Sequence, residues 1–282
     1  MKVLLTNDDG YRSAGFTAAR AALIAAGHRV LAVAPDGPRS GTSRSATFRR
    51  PVNVALAEDD PENPVYRCDG TPVDCVRVAL LSSLGEHVDV VVSGINEGAN
   101  LGDDTTYSST VGSAVEGALL GLPAIAVSQQ SSDGRFRLVD RSGYDWTWSA
   151  WGAVQLVELI AEAALPPRTL VNLNAPGSVD GAPGARATRL GERPWRRGGL
   201  VRGHTDEHGE GWYTFGVDRD EDPPRTSDPD TDFAAIADGE LSLTGITLKY
   251  DTDDHVALHR WTEQAATEIA RRAAAVPRGT SA

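Results

Sequence analysis

The chain has 282 residues, 40% of them hydrophobic, and a formal charge of −12. That is enough apolar content for one large α/β body, and the wrong sign for a general nucleic-acid binder, which needs a basic surface to displace counterions. No stretch approaches the roughly 20 apolar residues of a membrane span. The opening MKVLLTNDDG ends its apolar run at Thr6, without the small-residue cleavage site of a secretory signal, so a cytoplasmic protein is expected.

Taken in chain order, the first two-thirds alternate strand and helix. Residues 2–6 (KVLLT) make a short apolar strand. Phe16, Leu23 and Ile24 among alanines predict a helix over 14–26, stopped by Gly27. A second strand covers 30–34 and is closed by Pro35. Thr71 caps a helix that has Pro72 at its first position and runs toward Gly85. Residues 88–93 read as a buried strand, a helix lies near 110–120, and Pro123 opens another strand, AIAV. A longer helix is expected over 147–164, and LVNLN at 170–174 is a further strand. Short apolar strands separated by helices imply a Rossmann-like, mostly parallel sheet covered on both faces.

Residues 175–240 are rich in Gly, Pro, Asp and Arg, with one hairpin-like patch, GWYTFGV, at 211–217. They carry too little apolar content for a core of their own. They are either a disordered insertion or, as the aromatic patch favours, an arm that packs on a second subunit. Arg186, Arg189, Arg193, Arg196, Arg197 and Arg202 cluster there in an otherwise acidic chain, near Trp212, Tyr213 and Phe215. Exposed aromatics mark interfaces, so the 190–240 region is expected to reach onto a partner subunit, with some of these arginines approaching the partner's or its own phosphate site; the alternative is a solvated arm whose arginines pair with Asp218, Asp220 and Glu221. A strand at 241–248 and a helix at 255–274 close the chain. The expected organisation is a Rossmann-like core over 1–185, an extended hairpin arm over 186–240 that contacts another subunit, and a C-terminal strand and helix over 241–282. Cys68 and Cys75, the two cysteines, match no zinc or redox spacing and read as reduced structural residues.

Ligands of such sheets sit beyond the carboxyl ends of the strands, which selects three loops. The first strand ends in Thr6-Asn7-Asp8-Asp9-Gly10, the second in Pro35-Asp36-Gly37-Pro38-Arg39-Ser40-Gly41-Thr42-Ser43, and the strand at 88–93 in Ser93-Gly94-Ile95-Asn96-Glu97-Gly98-Ala99-Asn100. Asp-Asp-Gly alone is also an ordinary turn. At the mouth of a sheet, however, two adjacent carboxylates repel, and a bound cation relieves them. Carboxylate, hydroxyl and amide oxygens suit Mg²⁺ or Mn²⁺, and no His or Cys in these loops favours zinc. A fourth segment, Tyr107-Ser108-Ser109-Thr110, enters a helix whose N-terminal N–H groups suit phosphate. Plain N-capping by these hydroxyls is the bland reading, and the two are compatible.

These blocks, with Gly70-Thr71-Pro72-Val73-Asp74-Cys75-Val76, Leu101-Gly102-Asp103-Asp104, Val171-Asn172-Leu173-Asn174-Ala175-Pro176 and Thr231-Asp232-Phe233-Ala234-Ala235, resemble the survival protein E (SurE) family of metal-dependent 5′/3′-nucleotidases and acid-type phosphatases. Several blocks in the same order make the resemblance specific. It implies a Rossmann-like core, one divalent cation per subunit (Mg²⁺ or Mn²⁺) on Asp8, Asp9, Ser40 and Asn96, and dimers, or tetramers of dimers, that exchange a hairpin and C-terminal elements. It departs at Tyr11-Arg12-Ser13-Ala14-Gly15, where the family usually has an Ile and then a small polar stretch with Ala-Pro-Gly. It departs again at Ser109, where Gly is usual, and at Ser242-Leu243-Thr244-Gly245-Ile246.

The expected activity is hydrolysis of nucleoside 5′/3′-monophosphates or a related small phosphomonoester. Asp8 or Asp9 accepts the proton of the attacking water, and Asn7, Ser40, Gly41, Asn96, Ser108, Ser109 and Thr110 line the phosphate. An aspartyl-phosphate ranks lower, because both carboxylates are committed to metal. The alternatives are a phosphatase of specialised metabolism and a non-catalytic nucleotide-binding module. The latter lacks a Gly-x-Gly-x-x-Gly or Walker-type motif. A zinc deacetylase would need a His where Thr6-Asn7 stands, a sugar-nucleotide glycosyltransferase has no use for the Ser40 and Asn96 loops, and no Gly-x-Ser-x-Gly elbow supports a serine hydrolase.

Overall fold

The apolar runs become strands of one sheet in the computed structural model, which describes residues 1–85, 87–134, 143–192, 201–215, 228–248 and 255–276. In chain order the elements are β1 (Lys2–Thr6), α1 (Ala14–Ala25), β2 (Arg29–Pro35), β3 (Val54–Glu58), β4 (Val65–Cys68), α2 (Pro72–Leu81), β5 (Val90–Glu97), α3 (Ser109–Leu119), β6 (Ala124–Gln129), α4 (Thr147–Glu162), β7 (Thr169–Ala175), β8 (Ala185–Thr188), β9 (Val201–Thr205), β10 (Gly211–Phe215), α5 (Asp232–Ala237), β11 (Leu241–Thr247) and α6 (His255–Ala274).

The nine-stranded sheet has the order β3-β4-β2-β1-β5-β6-β7-β11-β8. Pairs from β4 through β7 are parallel, and β3–β4 and β11–β7 are antiparallel. Side chains of a strand alternate between faces, and the core divides accordingly. Val3 and Leu5 face the layer holding Phe16 and Leu23 of α1, Leu156 and Ile160 of α4 and Ile269 of α6. Leu4 and Val91 face Val76 of α2 and Val111 and Val115 of α3. Each fully buried leucine or valine contributes about 1.5–3 kcal/mol relative to exposure.

Four strands (β3, β4, β8 and β9) and the helix α5 were not legible as elements in the sequence. β3 and β8 are half-exposed and short. Pairing to a neighbour, rather than burial, holds them at the edges of the sheet. Two bounds also moved. The strand expected at 88–93 begins at Val90 and continues to Glu97, carrying Asn96 inside it. The helix after Thr71 stops at Leu81.

Thr71 caps α2 as its position predicts. Its hydroxyl accepts from the Asp74 N–H and the Asp74 carboxylate accepts from the Thr71 N–H, with Pro72 at the first turn. Cys68 and Cys75 are free and buried. Residues Gly211–Phe215 of the aromatic patch are the second strand of a hairpin, β9–β10, whose antiparallel ladder is separate from the main sheet, and residues 216 and 217 lie outside the described residues.

Two of the clustered arginines are engaged locally. Arg186 pairs with Asp238 and Glu240, and Arg189 with Asp228. Arg193, Arg196, Arg197 and the acids Asp218, Asp220 and Glu221 lie outside the described residues. No helix among the described residues is long and apolar enough to cross a membrane.

Candidate active site

The sheet order reverses at β1. The chain steps from β1 to β2 on one side and later crosses to β5 on the other. The crevice beyond the carboxyl ends of β1 and β5 is therefore the switch point where α/β sheets bind ligands. Asn7, Asp8 and Asp9 enter it from β1, and Asn96 and Glu97 from β5.

Asn7 builds the first loop. Its amide nitrogen donates to the Gly10 carbonyl at 3.0 Å and to the Ser13 hydroxyl at 2.8 Å, and its Oδ1 accepts from the Gly10 N–H. Its hydrogen-bonding capacity is thus largely used within the turn. The Arg39 N–H donates to the Asp8 carbonyl at 2.7 Å, which docks the second loop on the first. The Ser109 hydroxyl contacts both the Arg39 carbonyl and the Thr42 hydroxyl, tying that loop to the start of α3. Gly112 permits the approach, since a Cβ there would lie 2.6 Å from the Ser43 carbonyl oxygen. Ser40 and Gly41 sit exposed on this tied loop. Ser108 is the N-cap of α3, its hydroxyl accepting from the Val111 N–H.

Thr110 has a different place from the one its neighbours suggest. Its hydroxyl contacts Asp8 Oδ1 at 2.5 Å and Asn96 Oδ1 at 3.1 Å. One proton is shared between two acceptor oxygens. Asn96 is held in this orientation because its amide nitrogen donates to the Gly98 carbonyl. Asp9 accepts from the Glu97 N–H through Oδ2. The structure thus brings together Asp8, Asn96 and Thr110 by direct contact. It joins Asp9 to the end of β5, and holds the Ser40 loop against Asp8 by main-chain bonds.

The charge of this cluster is unrelieved. Burial raises the pKa of Asp8 against the pull of the Thr110 hydroxyl. Burial, followed by the neighbouring Asp8 charge, raises that of Asp9 to about 7. Among the described residues no three His, Cys, Asp or Glu side chains gather as a metal site. A cation here would instead rest on two carboxylates with amide and hydroxyl oxygens. That oxygen-only, proton-poor set fits a hard divalent ion.

A cleft of about 410 Å³ opens beside Asp9, lined by Asp9, Gly10, Tyr11, Arg12, Ser13, Asp36, Gly37, Pro38 and Glu97. Tyr11, Arg12 and Glu97 were not singled out as site residues. Position two and three residues after Asp9, and directly after Asn96, was the available signal. Asp232, also missed as a bonding centre, is buried and accepts N–H bonds from Gly102, Gly191 and Phe233. It anchors the loop that follows β5 to α5.

Residues 3–197 match the family model described as survival protein SurE. A protein named 5′-nucleotidase SurE from Chloroflexus aggregans is 38% identical over 266 residues, covering 94% of this chain and 97% of the relative. Its namesake from Nitrosococcus oceani is 40% identical over 261 residues, covering 91% and 96%. The crystal structure of SurE protein from Aquifex aeolicus superposes with a TM-score of 0.71 at 34% identity, covering 91% of this chain and 96% of that one. With the model matching well over half of the chain and relatives of this identity spanning nearly all of it, the chain belongs to the survival protein SurE family.

Proposed function

We propose that this chain is a divalent-cation-dependent phosphomonoesterase that hydrolyses nucleoside 5′- or 3′-monophosphates, or a related small phosphorylated metabolite, to inorganic phosphate. It is an enzyme of the nucleotidase type, as the names of its relatives agree. The observation that carries the reading is the cluster of Asp8, Asn96 and Thr110 oxygens, in which two acceptors share one hydroxyl proton next to the raised Asp9.

In this reading Asp8, Asp9, Ser40 and Asn96 hold one Mg²⁺ or Mn²⁺. When bound, the cation supplies positive charge at the phosphoryl oxygens and lowers the pKa of the attacking water. The protein's own groups supply the rest. The first-turn N–H groups of α3 and the Ser40-Gly41 loop orient the phosphate, with Ser108 and Ser109 shaping that helix start. Asp9 Oδ1 has no hydrogen-bond donor among the described residues and is placed to take the water's proton. The β9–β10 arm, standing apart from the main sheet, contacts a second subunit in a homodimer or a tetramer of dimers.

The test is phosphate release from p-nitrophenyl phosphate and nucleoside monophosphates. Activity should vanish with EDTA and return with Mg²⁺ or Mn²⁺. Restoration by Zn²⁺ alone would overturn the ligand set.

A further inference from the structure

The cleft beside Asp9 has an unusual charge arrangement. Asp9, Asp36 and Glu97 line it as carboxylates, and Arg12 is the one basic residue in its lining. A flexible guanidinium among three carboxylates should fold onto one of them. Instead, the Arg12 guanidinium carbon lies 4.9 Å from the Tyr11 ring centroid, a cation–π contact that leaves the N–H edges of the fork available. Arg12 makes no ion pair with any described residue. Asp36 is occupied by Arg39, at 2.8 Å. Asp9 and Glu97 belong to the end of the cleft that meets the oxygen cluster.

The Tyr11 ring therefore carries a positive charge in the lining of a cleft that also holds Asp9. We propose that Arg12, carried on Tyr11, is a specificity-determining residue that selects phosphomonoesters bearing a second anionic group, a carboxylate or another phosphate, at the end remote from the scissile phosphate. The assignment rests on the reading of Asp8 and Asp9 as the hydrolytic centre. A volume of about 410 Å³ accommodates a nucleoside-sized body between the two charges, and a guanidinium recognises either anion with two parallel N–H bonds.

The experiment compares kcat/KM for adenosine 5′-monophosphate, adenosine 3′,5′-bisphosphate and a carboxylate-bearing nucleoside 5′-monophosphate, in wild type, R12Q, R12K and Y11I. Wild type should prefer at least one of the two doubly anionic substrates. R12Q should reduce that preference about 10-fold, through KM, since one charge-assisted contact is lost. R12K should restore part of it and Y11I should weaken it. A merely structural role for Arg12 would lower all substrates together and leave the ratios unchanged. That result overturns the proposal, as does a wild type indifferent to the second charge. Response to only one of the two anions identifies the group that is read. Release of phosphate from p-nitrophenyl phosphate by wild type is measured in parallel. Its absence with every divalent cation overturns the phosphatase reading together with this one, whereas its presence with unchanged ratios overturns this one alone.

Discussion

Two buried carboxylates, Asp8 at the sheet mouth and Asp232 under α5, have raised pKa values for the same first reason, burial. Their surroundings differ. Asp232 accepts three backbone N–H bonds, from Gly102, Gly191 and Phe233. Asp8 Oδ1 shares a single threonine hydroxyl with Asn96 and sits beside a second carboxylate. A buried carboxylate saturated with main-chain donors is a structural clamp. One that is short of donors and crowded by like charge is a place where positive charge has yet to arrive. The distinction separates site from scaffold without reference to sequence motifs, and each variant below is a way to break it.

The largest effect is expected at the donor-poor centre. Asp8→Asn or Asp9→Asn should lower phosphatase activity by about 10²–10³-fold, the scale of removing a preorganised electrostatic group. The metal-free variants should melt no lower than wild type, because each substitution relieves carboxylate repulsion. Near wild-type rates at saturating metal, or a parallel fall in melting temperature, would show that these residues are scaffold as well.

At the donor-rich centre the order reverses. Asp232→Asn replaces one acceptor oxygen with an NH₂ group that faces a backbone N–H. It should destabilise the fold by about 1–3 kcal/mol at pH 4, with specific activity retained at temperatures below unfolding. The pH dependence sharpens this. Asp232 is raised from 3.8 to about 6, so the folded state holds its proton where the unfolded chain has released it. The stability this group contributes is full below pH about 4 and is lost as pH rises through about 6. The wild-type stability should therefore fall across that window relative to the variant, by on the order of 3 kcal/mol, and the cost of the substitution should shrink. Urea unfolding at pH 4, 5, 6 and 7 measures it. A cost that grows with pH would mean that the three N–H donors outweigh burial.

Much of the sheet mouth was legible in the sequence, and much of the clamp was not. Asp8, Asp9, Asn96 and Thr110 lie at ends of apolar strands or at a helix start, positions that periodicity and turn residues mark directly. Thr110's real partner was invisible, since its contact with Asp8 spans 102 residues and depends on the docking of α3 against β5 and β6. Asp232 opens a six-residue helix in a segment whose composition resembles a linker. Its donors come from positions 102 and 191, and no local pattern predicts a bond of that range. β3 and β8 failed for a related reason. Edge strands gain their order from a neighbour, so the apolar residues of β3 stay half-buried or exposed and mark no core face. The central strands, buried on both faces, declare themselves as continuous Val, Leu and Ile.

The smallest effect is the most discriminating. Thr110 heads α3, where a hydroxyl is common for capping, yet Ser108 already fills the N-cap role. If Thr110 instead keeps Asp8 and Asn96 oriented as ligands, Thr110→Val, which preserves shape and removes the hydroxyl proton, should leave Asp8 without its one side-chain donor. The cation concentration giving half-maximal activity should then rise about 10-fold, the scale of losing a partner that orients a metal ligand. Thr110→Ser restores the hydroxyl on a smaller side chain and should recover most of the loss. The melting temperature of the metal-free protein should change little between the two, since α3 retains its cap. An unchanged metal titration in Thr110→Val would assign the hydroxyl to packing at the helix start. It would then leave the charge of Asp8 and Asp9, rather than its orientation by Thr110, as what makes this end of the sheet different from the clamp at Asp232.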